Sequence, residues 1–213
     1  MIKAIFWDND GILVDTEKLY YKSCKITFDK IGIEINEDIY REYFLKKSYG
    51  TWHLAKEQGF SDKDISEMRN ERNKVYSQLL KDNIEIIDGV DNVLKLLFGK
   101  IKMGVVTSSR RDHFEIIHQQ TQFLKYFDFV VTSDDCKKVK PDPEPYLKAL
   151  QLSGFDKNNC IVVEDSERGL RSALDAGLKC IIIPTELTKY FDFTGAEKIL
   201  KDISELPSII LEA

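Results

Sequence analysis

An α/β fold, built on a doubly wound parallel sheet with an inserted helical domain, is what this 213-residue sequence predicts. Three observations carry that expectation. Short apolar runs rich in β-branched residues each stop at a polar cluster. Amphipathic helical patterns separate the runs. One long interval near the N-terminus has helical spacing and no strand pattern.

The first run, Ile2-Lys3-Ala4-Ile5-Phe6-Trp7, ends at Asp8. From about Thr16 to Asn83 the spacing is helical. Tyr20, Cys24, Thr27, Phe28 and Ile31 mark one helix. Ser61 reads as the N-cap of a longer one carrying Ile65, Met68, Arg72, Val75 and Leu79. The expected division is a core of residues 1–15 and 85–213, with residues 16–84 as a helical cap domain. Val90, Val93, Leu94 and Leu97 then share one helix face, ahead of the run Ile101–Val106, which ends at Thr107-Ser108-Ser109. Phe114, Ile117 and Leu124 predict the next helix face, before Phe129-Val130-Val131. Tyr146, Leu147 and Leu150 mark a further helix, before Ile161-Val162-Val163, which ends at Glu164-Asp165. Gly169, Ala173 and Ala176 form a small-residue stripe suited to close packing on a sheet, ahead of Cys180–Ile183. Strands alternating with helices imply a Rossmann-like sheet with right-handed crossovers, whose ligands bind at the carboxyl ends of the strands. Asp8, Thr107 and Asp165 occupy those ends.

Composition narrows the function classes. A net charge of -5 argues against a sequence-independent nucleic-acid binder. The apolar run before Asp8 is too short for a signal peptide or membrane span, so a cytoplasmic protein without membrane association is expected. Cys24, Cys136, Cys160 and Cys180 contain no C-x-x-C pair and read as reduced thiols.

Four polar clusters are candidates for chemistry. In Asp8-Asn9-Asp10-Gly11, one carboxylate is placed to attack phosphorus and the other to exchange a proton with the leaving oxygen. On the tetrapeptide alone, a solvated Asp-Gly turn is the better reading. Thr107-Ser108-Ser109 opens a helix, where hydroxyls and N–H groups can hold phosphate. Ser109 with Asp112 also resembles a capping box. Lys140, in Lys140-Pro141-Asp142-Pro143, can neutralise phosphate charge, or be one of several surface lysines. Glu164-Asp165-Ser166 offers hard oxygen ligands for Mg²⁺, or a helix N-cap that leaves Glu164 without a role. His53, His113 and His118 lack zinc-ligand spacing, and the last two are expected on a solvated helix. Each cluster alone is weak. Their agreement at the ends of successive strands is what points to one site.

Together these motifs resemble the haloacid dehalogenase superfamily, in the branch of phosphoglycolate phosphatases and β-phosphoglucomutase. The segments are Phe6–Thr16, Val105–Ser109, Lys140–Tyr146 and Val163–Gly177, and the likeness spans nearly the whole chain. The resemblance implies a Mg²⁺-dependent phosphatase acting on a small phosphorylated metabolite. Asp8 would be nucleophile and metal ligand. Asp10 would be general acid and base, with its backbone carbonyl on the metal. Thr107 and the Ser108 N–H would bind the phosphoryl group, and Lys140 would hold both phosphate and Asp8. Asp165 would ligate Mg²⁺, with Glu164 alongside it. Asp15-Thr16 would form the hinge to the cap domain, and a monomer or weak homodimer is expected.

Ile12 stands where the family usually has Thr. The mutase's cap histidine falls in the region of Tyr20, and its arginine-bearing loop has no clear match in Lys46-Lys47-Ser48-Tyr49-Gly50. Both departures favour hydrolysis over a phosphomutase. A non-catalytic phospho-accepting signalling protein is the more distant alternative, disfavoured by a nucleophile on the first strand. The basic residues Arg41, Lys46, Lys47 and His53 read equally as solvated surface.

Overall fold

The computed structural model describes residues 1–47, 50–82 and 84–211. Contacts divide the chain into two compact units, Met1–Asp15 with Glu85–Ala213, and Thr16–Ile84. In the first unit, strand β1 (Ala4–Trp7) precedes the insertion. The insertion holds α1 (Glu17–Asp29), α2 (Glu37–Tyr40) with a π-helical continuation over Arg41–Lys46, α3 (Trp52–Glu57) and α4 (Asp62–Asp82). The first unit resumes with α5 (Val90–Leu97), β2 (Lys102–Val106), α6 (Arg111–Thr121), β3 (Phe129–Val131) and α7 (Glu144–Ser153). It ends with β4 (Cys160–Glu164), α8 (Glu167–Asp175), β5 (Lys179–Ile182), β6 (Lys198–Ile199) and α9 (Leu206–Leu211).

All six strands are parallel, in the order β3-β2-β1-β4-β5-β6. β1 is central, and the chain winds outward from it first to one side and then to the other. The crevice at the carboxyl ends of β1 and β4 is therefore the topological switch point. Alternate side chains of each strand enter opposite cores. Ile5, Trp7, Met103, Val105 and Val163 pack with Val90 and Leu94 of α5, Phe114 of α6 and Ile210 of α9. Ala4, Phe6, Val106, Val162 and Cys180 pack with Tyr146 and Ala149 of α7 and Leu170 and Ala173 of α8. Burial on both faces is why the strands read as near-continuous apolar runs.

The regular elements of the second unit are all helices among its described residues, joined by turns. Cys24 and Phe28 of α1 and Ile65, Tyr76 and Leu80 of α4 are buried within it. Ser61 caps α4, its hydroxyl accepting from the Asp64 N–H at 3.2 Å while its own N–H donates to the Asp64 carboxylate at 2.9 Å. Arg72 lies over the ring of Tyr20, 4.7 Å from its centre. Ser48 and Tyr49 of the loop compared with the mutase lie outside the described residues.

The structure corrects four sequence expectations, the first being Ile31, which lies in a turn beyond the end of α1 at Asp29. The buried face of α4 is set by Tyr76 and Leu80, one residue on from Val75 and Leu79. Leu124 is 43% exposed, because α6 has already ended at a left-handed Gln122 and a 3₁₀ turn follows. Leu147 is 47% exposed, and the α7 face that enters the core is Tyr146, Ala149 and Ser153. The edge strand β6 went unpredicted. It is two exposed residues long and carries no apolar run.

The four thiols are free, three of them buried. No helix among the described residues is long and apolar enough to cross a membrane. Replacing Leu94, fully buried under the sheet, with Ala is expected to cost about 2–5 kcal/mol. Leu124→Ala should stay within about 0.5 kcal/mol of the wild type. Urea denaturation of the two variants measures both, and equal losses would contradict the assigned helix face.

Candidate active site

Strand register brings the predicted residues together. Trp7 pairs with Val105 on one side and Val163 on the other. One step further along, Asp8 stands level with Val106 and Glu164, and its N–H donates to the Val163 carbonyl at 2.9 Å. Beyond Asp8 the chain turns sharply. The carbonyl of Asn9 accepts from the N–H groups of Leu13 and Val14 at 2.8 and 3.2 Å, and Gly11 adopts φ +89°. A Cβ on Gly11 would come within 2.5 Å of Asp165 Oδ2, so glycine lets the turn lie against that carboxylate.

Lys140 is the centre of the arrangement. Its Nζ donates to Asp8 Oδ1 at 2.8 Å, to Glu164 Oε1 at 2.7 Å and to the Val106 carbonyl at 2.7 Å. Lys140 is 2% exposed and Glu164 is fully buried. Glu164 closes β4, and its environment is saturated. Oε1 also accepts from the Tyr146 hydroxyl at 2.8 Å. Oε2 accepts from the Asp165 N–H at 3.1 Å and the Ser166 hydroxyl at 3.0 Å. Ser166 caps α8 as well, its Oγ accepting from the Gly169 N–H at 3.2 Å. Gly169 has to be glycine, since a Cβ there would lie 1.9 Å from the Glu164 carboxylate.

Asp10 faces the end of β2. Its Oδ2 accepts from the hydroxyls of Thr107 at 3.2 Å and Ser109 at 2.8 Å. Thr107 Oγ1 accepts in turn from the Ser109 N–H at 2.9 Å. Ser108 is half-buried, and its hydroxyl has no hydrogen-bond partner among the described residues. Arg110, not Ser109, occupies the N-cap position of α6, and Asp112 instead pairs with Arg110 at 2.9 Å. The capping-box alternative is therefore wrong, because Ser109 is turned toward Asp10.

The charge balance is uneven. Ligand atoms of Asp8, Glu164 and Asp165 lie within 4.8 Å of one another, all buried. Among the described residues, Lys140 is the cation paired with this group. Burial and the charge of Glu164 push the Asp8 carboxyl up to about 7, against the opposing pull of Lys140. Burial acts against ionised Glu164 too, but Lys140 and the hydrogen bonds from Lys140, Tyr146 and Ser166 hold it below the usual carboxylate range. Burial opposes the charge of Lys140, and the two carboxylates outweigh it, so its pKa stands above the usual lysine value. Three close carboxylates facing one ammonium, all oxygen donors, suit a small divalent cation such as Mg²⁺.

The sequence reading missed several residues here. Ser109 shares the two-residue spacing of Asp8 and Asp10, which was the available signal. Tyr146 stands on a predicted helix face and at the end of the segment Lys140–Tyr146, and carries no predicted role at the site. His113 and His118 are buried, 3% and 2% exposed, contrary to expectation. His118 Nε2 lies 2.8 Å from the Asn9 side-chain oxygen, and Nδ1 lies 2.9 Å from the Thr121 hydroxyl. Burial lowers its pKa to about 4, so at neutral pH it is an uncharged brace on the turn between the two aspartates.

A sequence model of the haloacid dehalogenase-like hydrolase family matches residues 5–183. The phosphorylated carbohydrates phosphatase of Thermotoga maritima is 32% identical over 188 residues, covering 84% of each chain. The fructose-1-phosphate phosphatase YqaB of Escherichia coli is 29% identical over 181 residues, covering 84% of this chain and 94% of that one. The crystal structure of CbbY from Rhodobacter sphaeroides in complex with phosphate superposes with a TM-score of 0.80 at 26% identity, covering 97% of this chain and 96% of that one.

The shifted Asp8 carboxyl gives a prediction for metal-free protein. Its folded pKa, about 7, lies above the unfolded 3.8, so the stability from its bound proton is lost as pH rises through 7. His118 acts in the opposite sense, with stability lost as pH falls from 6.5 toward 4. Between about pH 6.5 and 7.5 Asp8 dominates this pair, and above that range its contribution levels off. Melting temperatures in EDTA should fall across that range, and Asp8→Asn should flatten the slope. An unchanged slope in the variant would contradict the assignment.

Proposed function

Because the chain belongs to the haloacid dehalogenase-like hydrolase family, we propose that it is a Mg²⁺-dependent phosphatase. Its substrate is a small phosphate monoester, a sugar phosphate or a phosphoglycolate-like compound. The observation that carries the reading is the convergence of Asp8, Glu164, Asp165 and Lys140, with Asp10 two residues from Asp8 and held toward Thr107.

Asp8 is the nucleophile. Its Oδ1 is engaged by Lys140, which leaves Oδ2 to attack phosphorus. As the Asp8–phosphorus bond forms, the bond from phosphorus to the ester oxygen breaks. Asp10 gives its proton to that oxygen, and an alcohol leaves. In the second half, Asp10, now a carboxylate, takes a proton from water. The water oxygen attacks phosphorus, Asp8 is released and inorganic phosphate departs. Lys140 offsets the repulsion between the Asp8 carboxylate and the dianionic substrate, and follows the charge onto the transferring group. The Thr107 hydroxyl and the Ser108 N–H hold the phosphoryl oxygens, which requires Thr107 to exchange its bond to Asp10 for one to phosphate.

The side chains of Asp8 and Asp165 and the backbone carbonyl of Asp10 would hold Mg²⁺, with Glu164 beside them. When bound, the cation supplies charge neutralisation on the phosphoryl oxygens. The inserted unit of residues 16–84 is assigned the role of a cap that selects the substrate. A cytoplasmic location and a monomer or weak homodimer accompany this reading.

Phosphate release from a panel of phosphorylated metabolites tests it. Activity should require Mg²⁺ and fall at least about 10³-fold in Asp8→Asn. Asp10→Asn should lose comparable activity while still binding metal. Isomerisation of substrate without net phosphate release would overturn the phosphatase reading. So would full activity of Asp8→Asn.

A further inference from the structure

We propose that Tyr146 is a positioning residue for Lys140, acting through Glu164 and through its own ring. The proposal rests on the assignment of Lys140 to phosphoryl transfer, and goes beyond it by naming what sets the ammonium's place.

Lys140 Nζ is shared between two carboxylates at nearly equal distances, 2.8 Å to Asp8 and 2.7 Å to Glu164. A shared ammonium moves toward whichever oxygen carries more unsatisfied charge. The Tyr146 hydroxyl donates to the same Oε1 that Lys140 contacts, at 2.8 Å. It withdraws part of that oxygen's attraction, so the ammonium stays shared with Asp8 instead of moving onto Glu164. The other carboxylate oxygen is tied to the Asp165 N–H and the Ser166 hydroxyl, so Glu164 cannot relax by turning. Gly169 closes the remaining side, with no room even for a Cβ.

The ring contributes separately. Lys140 Nζ lies 4.8 Å from the Tyr146 ring centroid, a cation–π distance in a desolvated pocket. Tyr146 is fully buried on α7, six residues beyond Lys140, so its place is set by the core that holds the helix. Hydroxyl and ring thus constrain one ammonium from two directions. Phe in this position would keep the ring and lose the hydroxyl.

Tyr146→Phe is therefore the test, since it removes one oxygen from a packed site and leaves the fold intact. Steady-state kinetics should show kcat reduced about tenfold, the size expected for one hydrogen bond to a charged group. KM and the affinity for Mn²⁺, titrated as a Mg²⁺ substitute, should stay within about twofold, a split that general loosening of the site would not give. In parallel, NMR of protein labelled with ¹⁵N-lysine reads the buried Lys140 ammonium, identified by its loss in Lys140→Met. That signal should shift or broaden in Tyr146→Phe while the near-UV circular dichroism of the folded protein is kept.

A kcat within twofold of wild type overturns the proposal. So does a parallel loss of kcat, metal affinity and melting temperature, which would make Tyr146 merely structural. If the wild-type protein releases no phosphate, the phosphatase reading fails, and the ammonium signal decides the present one. A changed signal upholds it, and an unchanged signal ends it.

Discussion

Three carboxylates buried around one lysine are unfavourable in isolation. Removing a charge from water is costly, and like charges a few ångströms apart raise the cost. Here Lys140 meets two of the three carboxylates directly, and the backbone carbonyl of Val106 accepts a hydrogen bond from its third N–H. Hydrogen bonds from Tyr146, Ser166 and the backbone satisfy Glu164. Asp8 is left as the group that carries the residual penalty, seen in its raised pKa. A divalent cation removes that penalty. The same imbalance that makes the metal-free site costly therefore suits it to a small, hard cation.

The fold holds this cluster in place by ordinary means. Parallel register sets Asp8 level with Glu164 and with the Val106 carbonyl. Two apolar cores, one on each face of the sheet, lock the strands that end at the site. Glycines stand where a side chain cannot fit, at Gly11 against Asp165 and at Gly169 against Glu164. The division between the two units falls between Asp15 and Thr16, just past the turn that follows Asp8, so the insertion leaves the sheet uninterrupted.

Much of this was legible before any coordinates. The five longer strands and the α5 face followed from apolar runs ending in polar clusters, and the candidate residues from those clusters, the Lys140 loop and the family resemblance. Those signals are local and strong, since strands buried on both faces tolerate few polar residues. The misses share a cause. Leu124 and Leu147 are apolar side chains at helical spacing that the tertiary structure leaves in water, and periodicity cannot tell an exposed leucine from a buried one. The short edge strand β6 has no pattern to read. His118 looked like a solvated histidine, and only its partner across the fold, Asn9, explains its burial.

By itself, the sequence determined which residue types stand at the ends of which strands, because strand periodicity and burial are written in nearest neighbours. The tertiary structure decided which atoms of those residues meet. That Lys140 divides itself between Asp8 and Glu164, that Ser109 turns to Asp10, and that Tyr146 reaches Glu164 all depend on contacts between residues 18 to 132 positions apart. Hydrogen bonds are short-ranged and directional, so their partners are fixed by three-dimensional geometry, which no local pattern of amino acids encodes.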